Sequence, residues 1–234
     1  MKKLLLLLMF PLILHAESYT FSGGKNNLAH IIAADILIKA YSKAGITITP
    51  EFMNLSDALE QSNAGITDGE LARIDKISAL YPNLKKVPVA ISSVEAIAFS
   101  KNTSLWINKW EDLHDYDVTI IKGANFIETA MHDINHRVVD TFKEALTLLY
   151  EDKTQIIVTP KLASLNIIYQ KKYRDIKPIS ASLKTLQLFH FVNRKNTHLI
   201  PIITPILQKM HDNGSIEFIK KTRLMKEIMK LPER

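Results

Sequence analysis

At 234 residues, with a formal net charge of +6 and no cysteine, the chain suits one large domain or two small lobes, and it can form no disulfide, thiol nucleophile or cysteine-based metal site. Its basic residues are dispersed. The densest groups are Lys171-Lys172-Arg174 and Lys220-Lys221-Arg223-Lys226-Lys230, a footprint that excludes nucleic acid as the expected partner of an exported protein.

Export is what the first residues signal. Lys2 and Lys3 precede the apolar run Leu4 to Leu14, and Leu14-His15-Ala16 offers a cleavage site before Glu17. The run is shorter than the ~20 residues a membrane helix needs. Residues 1–16 are therefore expected to be a signal peptide, and the mature chain to work in the periplasm.

The mature chain opens with a short strand, Tyr19 to Ser22, and a turn, Gly23 to Asn27. A helix from about Leu28 to Ala44 follows, with Gly45 as its C-terminal cap. Ile46, Ile48, Pro50 and Phe52 alternate with Thr47, Thr49 and Glu51, a strand that Pro50 assigns to an edge or a strand end. Ser56 is expected to cap a short helix that Gly65 ends. Thr67 to Arg73 returns to the sheet, Tyr81-Pro82-Asn83 is a turn, and Val87 to Ala90 and Val94 to Phe99 are extended.

From Trp110 to Ile168 the apolar runs Val118 to Ile121 and Ile156 to Val158 alternate with helical patterns, the mark of βαβ units and a parallel sheet. Thr141 with Glu144 makes a capping box. Leu186 to Val192 is one more strand. Two helices, roughly His198 to Asp212 and Ser215 to Lys230, close the chain, parted by Asn213-Gly214. The last has its apolar side at Ile216, Ile219, Leu224 and Ile228.

The order of these residues resembles the bacterial extracellular solute-binding proteins of family 3. Trp110-Glu111-Asp112-Leu113 is similar to that family's opening of lobe two, Val118 to Gly123 to its first strand and turn there, and Glu144-Ala145-Leu146 to its following helix. Phe189-His190-Phe191 resembles the return strand, and Leu199 to Ile219, with Met210 and Gly214, the ending. The resemblance implies an α/β, two-lobed periplasmic binding protein fold of type II, each lobe a mixed, mainly parallel sheet flanked by helices. Lobe one would comprise residues 17–98 and 191–234, and lobe two 99–190, with crossings near Ala98-Phe99-Ser100 and Phe189-His190-Phe191. It implies a monomer that captures an amino acid or related carboxylate between the lobes and hands it to an ABC permease, without cofactor or metal. A lyase-like periplasmic enzyme and a sensory ligand-binding module on the same scaffold are the alternatives.

Arg73 is the first candidate for the ligand site. The resemblance implies an arginine near here that pairs with a ligand carboxylate, and a planar guanidinium does this through two parallel bonds. Gly24, Lys25 and Asn26 lie in the turn before the first helix, whose N–H groups face a crevice in such sheets. Gly123, Ala124 and Asn125 form the matching turn of lobe two. Thr159 stands where amino-acid binders of the family commonly place an aspartate for the ligand's ammonium; it offers only a neutral hydrogen bond. His132 and His136 imitate a zinc-helix spacing but are expected to be solvent-exposed. Asp68, Glu70, Asp75 and Glu95 are the acid/base candidates of an enzyme reading, and Trp106 and Trp110 are expected to pack the lobe boundary.

Overall fold

A computed structural model describes residues 17–229. The signal peptide expected at 1–16 and the chain beyond Met229 lie outside the described residues. In chain order the elements are β1 (Ser18–Gly24), α1 (Leu28–Lys43), β2 (Thr47–Met53), α2 (Leu55–Ala64), β3 (Gly69–Ile74), α3 (Ile77–Leu80) and β4 (Leu84–Ser100). There follow β5 (Val118–Ile121), α4 (Asn125–Ala130), β6 (Arg137–Val139), α5 (Phe142–Tyr150), β7 (Ile156–Pro160) and α6 (Lys161–Lys171). Last come β8 (Lys177–Pro178), β9 (Lys184–Asn193), α7 (Leu199–Asp212) and α8 (Ser215–Met229).

The strands form one sheet in the order β2-β1-β3-β9-β4-β7-β5-β6, with β8 against β4. β1 runs parallel to β2 and β3, and β5 runs parallel to β6 and β7. The second of these is the βαβ arrangement that the alternating pattern of 110–168 implies. β2 is an outer strand, which is where Pro50 costs no ladder bond. Trp110 to Leu113 forms a short 3-10 turn ahead of β5.

The halves are joined by β4 and β9, antiparallel partners from Leu84 opposite Asn193 to Ala96 opposite Lys184. At one end β9 also pairs with β3; at the other β4 also pairs with β7, Ala98 opposite Val158 and Phe99 opposite Ile157. The segments that pair only with each other are 93–95 and 185–187, a few residues before Ala98–Ser100 and Phe189–Phe191 respectively. The ladder slips on either side of Ala90, next to Pro88, which has no N–H to give.

Each half has its own core. Lobe one packs α1, α7 and α8 onto β1, β3 and β4 through Ile32, Ile36, Leu37, Leu71, Ile203 and Leu207. Lobe two packs Ile120, Ile127, Leu146, Ile157 and Ala163. Three side chains breach this division: Leu55 of α2 is buried in the lobe-two core, Phe126 of α4 touches both cores, and Leu162 of α6 packs against the lobe-one core.

Local chemistry explains several helix ends. The Asn27 side chain accepts from the Ala29 N–H and starts α1. Thr141 accepts from the Glu144 N–H at 3.0 Å and starts α5. Gly65 takes the left-handed conformation, φ 79°, that ends α2. Ser56 does not cap α2: the helix begins one residue earlier, behind Asn54, and Ser56 is buried inside its first turn. Trp106 does not pack the lobe boundary either; it is 59% exposed, whereas Trp110 lies on the lobe-two core.

Candidate functional site

The carboxyl end of β3 builds the site. Residues three apart on a regular strand face opposite sides of the sheet. Between Glu70 and Arg73 the pairing with β9 shifts register, and this irregularity lets both side chains turn the same way and meet. Glu70 Oε1 accepts from Arg73 Nη2 at 3.0 Å. Glu70 is fully buried and Arg73 only 6% exposed. Glu70 Oε2 and Arg73 Nε are both buried without a partner. Burial pushes the Glu70 carboxyl up, and the adjacent guanidinium opposes that push.

Arg73 does more than pair. Nη2 also donates to the Leu55 carbonyl at 2.7 Å, at the start of α2. Nη1 donates to the Gly123 carbonyl at 3.2 Å, in lobe two. Gly123 sits at φ +85°, and a Cβ there would lie 2.6 Å from the Ser56 nitrogen and 2.8 Å from the Leu55 carbonyl carbon. Only glycine allows this approach of the two backbones.

Around these groups lies a cavity between the lobes, bounded by Arg73, His30, Asn27, Gly123, Asn125 and Phe126 among others. Its free volume is about 40 Å³, space for roughly three waters. That space is smaller than an organic solute of amino-acid size. A smaller gap of about 10 Å³ lies alongside, between Lys25, Asn26 and Asn54 of lobe one and Asp140 and Thr141 of lobe two.

The structure thus brings Arg73, Gly123, Ala124 and Asn125 to one cavity, and Lys25 and Asn26 to the neighbouring gap. Gly24 is turned inward, where its N–H donates to His30 Nδ1 at 2.9 Å. Thr159 is fully buried and accepts from Ser164 Oγ at 3.1 Å; its neighbour Pro160 borders the cavity instead. The N–H groups of Gly123 and Ala124 are satisfied within lobe two, by Glu128 Oε1 and the Ile121 carbonyl.

His30 is the site residue that sequence reading misses. It sits inside the first helix, where a lone histidine carries no motif. With Nδ1 accepting from Gly24, its proton is on Nε2. Burial, reinforced by the Arg73 charge, holds its pKa well below the ordinary value. Beneath β3, His190 is likewise buried: Nδ1 lies 2.7 Å from the Glu70 carbonyl and Nε2 2.9 Å from the Tyr41 hydroxyl. That pairing requires Nδ1–H to donate and the Tyr41 hydroxyl to donate to Nε2.

The other candidates are structural or exposed. Asp68 accepts from the Thr20 N–H, Asn196 and Lys195, tying the end of β9 to β1; burial pushes its carboxyl up, but these donors outweigh it and hold it low. Asp75 pairs with Lys86 and Glu95 with Lys161. His132 is exposed beside Asp133, and His136 is half-buried against the Ile134 carbonyl.

No family profile and no curated protein sequence matches the chain. Solved structures do. A histidine kinase sensor domain with similarity to periplasmic binding proteins superimposes with a TM-score of 0.77 at 15% identity, over 89% of this chain and 96% of that one. A mutant of ArgBP from T. maritima gives 0.74 at 13%, over 89% and 95%. The amino acid ABC transporter substrate-binding protein AbpA from Streptococcus pneumoniae, bound to L-arginine, gives 0.73 at 13%, over 90% and 96%. The sheet order, the paired crossing strands and these superpositions bear out the expected architecture: this chain has the two-lobed α/β fold of the periplasmic binding proteins.

Proposed function

We propose that the chain is a periplasmic solute-binding protein that captures an amino acid or related carboxylate between its lobes. The observation that carries this is Arg73: a buried guanidinium in the wall of the interlobe cavity, already bonded across the cleft to Gly123. A ligand carboxylate is the group such a guanidinium holds best. Solved neighbours bound to arginine, glutamine and histidine support the same reading. The ligand-binding set would be Arg73, Lys25, Asn26, Gly123, Ala124 and Asn125, with Gly24 and Thr159 shaping the two turns. Delivery to an ABC permease, a monomeric state, the lobe limits given above and export through residues 1–16 belong to the same proposal. Mass spectrometry of the exported chain should find Glu17 at its start.

A thermal-shift screen with amino acids, dicarboxylates, sugars and polyamines tests the core of it. A true ligand at a hundred times its dissociation constant stabilises by about 2.7 kcal/mol. No shift with any compound would sink the proposal. The sensor-domain neighbour favours a second reading, in which the captured solute is presented to a membrane receptor. Ligand-stimulated ATP hydrolysis by a permease in vesicles separates import from sensing.

A further inference from the structure

Among the described residues, the interlobe cavity has one charged side chain in its wall, Arg73, and no carboxylate; Asp140 lines the neighbouring gap and is exposed to solvent. Glu70 stands behind Arg73, fully buried and outside the cavity wall. The remaining polar side chains there, Asn27, His30 and Asn125, are neutral, and the walls are apolar: Leu55, Ile74, Ile77, Val94, Phe126 and Leu188. A ligand ammonium enclosed here would lose its water and meet no negative partner, which is costly.

A carboxylate meets the opposite problem. Arg73 and Glu70 already form a neutral pair. A second anion on the guanidinium would leave a buried cluster with one uncompensated negative charge. The relief available is protonation of Glu70 at Oε2, an oxygen to which nothing donates. The groups around Glu70 leave Arg73 as the sole charge resisting that proton. On β1 the residue opposite is Ser22. On β9 it is Phe191, with His190 neutral at the Glu70 carbonyl. From α1 comes His30, also neutral. On α2, Asp57 and Glu60 are on the exposed side.

We propose that the cleft takes a carboxylate that carries no ammonium group, and that Glu70 takes up one proton from solvent when this ligand binds Arg73. The inference rests on the solute-binding reading above and narrows its ligand class. Burial already pushes the Glu70 carboxyl up, to about 7, against the pull of Arg73, and a second anion beside it pushes the same way. Loss of Arg73's hold on Glu70 and gain of the ligand then leave the cluster's net charge unchanged.

The test is calorimetric titration near pH 8 in phosphate and in Tris, whose heats of ionisation differ, so that proton uptake is counted directly. The probes are propionate, pyruvate, 3-methyl-2-oxobutanoate, phenylpyruvate and benzoate, set against L-alanine, L-valine and L-phenylalanine. At least one acid should bind with about one proton taken up, and its dissociation constant should rise about tenfold per pH unit above the Glu70 titration. The matching amino acid should bind at least tenfold more weakly. Glu70→Gln should bind the same acid with no proton uptake and a flat pH profile; should that variant fail to fold, the proton count on the natural chain still decides. An amino acid bound as tightly as its oxo acid, or an acid bound without proton uptake, overturns this inference and leaves the solute-binding reading standing. Binding of none of the compounds in these or the broader screen removes both.

Discussion

Arg73 of lobe one and Gly123 of lobe two are joined by a 3.2 Å hydrogen bond from Nη1 to the carbonyl oxygen, and the Gly123 α-carbon rests against the Leu55–Ser56 backbone at the start of α2. One guanidinium thereby links β3, α2 and the β5–α4 turn. The contact that closes the lobes and the group that would hold a carboxylate are the same residue.

Arg73→Ala should abolish ligand-induced thermal shifts and also destabilise the protein, because it strands a buried Glu70. Removing one member of such a pair costs about 3 kcal/mol. Arg73→Met combined with Glu70→Met should regain much of that stability while binding stays lost. Denaturant melts and the ligand screen, run on both variants, separate the two effects. Retained binding in either variant would refute the assignment of Arg73.

Gly123→Ala should leave each lobe folded and hinder closure. A left-handed alanine costs about 1 kcal/mol, and its methyl would strike the Ser56 nitrogen in the closed arrangement. Small-angle scattering should show a larger radius of gyration than the natural chain, and affinity for any ligand should fall at least tenfold. An unchanged radius with unchanged affinity would mean the two backbones do not meet in solution.

Acid should destabilise the fold through its buried histidines. Burial lowers the His190 pKa to about 4 from 6.5, so its contribution is full above pH 6.5 and is lost as pH falls from 6.5 toward 4. The span corresponds to about 3 kcal/mol, and His30 acts in the same sense. Glu70 acts oppositely: its raised carboxyl contributes fully below the ordinary 4.5 and loses that contribution as pH rises through about 7. Melting temperature followed across this range should peak near pH 6.5. Because Glu70 offsets one histidine over this range, a flat profile from pH 7 to pH 5 would mean that His30 and His190 are not both buried neutral.

Besides its apolar packing, the last helix is tied to α1 by a two-pronged ion pair: Arg223 Nε and Nη2 reach Asp35 Oδ2 and Oδ1 at 2.6 and 2.7 Å. The pair is partly exposed, so Arg223→Ala should cost no more than about 1 kcal/mol. Hydrogen exchange should nevertheless quicken along α8 while α1 keeps its protection. Equal loss in both helices would mean that the pair supports the lobe as a whole.

Much of the architecture is legible in the residues. Alternating apolar runs and helical patterns place β5, α5 and β7, Gly65 and Asn213-Gly214 mark helix ends, and Pro50 marks an outer strand. These are local signals, read within a few residues. Gly123 and Asn125 are reachable as a site because βα turns fall at the same end of a parallel sheet, and Arg73 is reachable through what the family resemblance implies. Ser56 and Trp106 show the limit: a good cap residue and a large aromatic each have two plausible settings, and neighbours distant in sequence choose between them.

Adjacent residues carry the βαβ alternation of 110–168, the edge strand at Pro50 and the turn chemistry, because strand and helix periods are local; the two lobes and the cleft arginine follow from the family resemblance. That Glu70 and Arg73 face the same way comes from packing, since it depends on a register shift against β9, which lies more than a hundred residues along the chain. Packing also decided that His30 borders the cavity, and that Gly123 touches α2 so closely that a β-carbon has no room. Charge burial and backbone approach are properties of packing, and no window of sequence contains them.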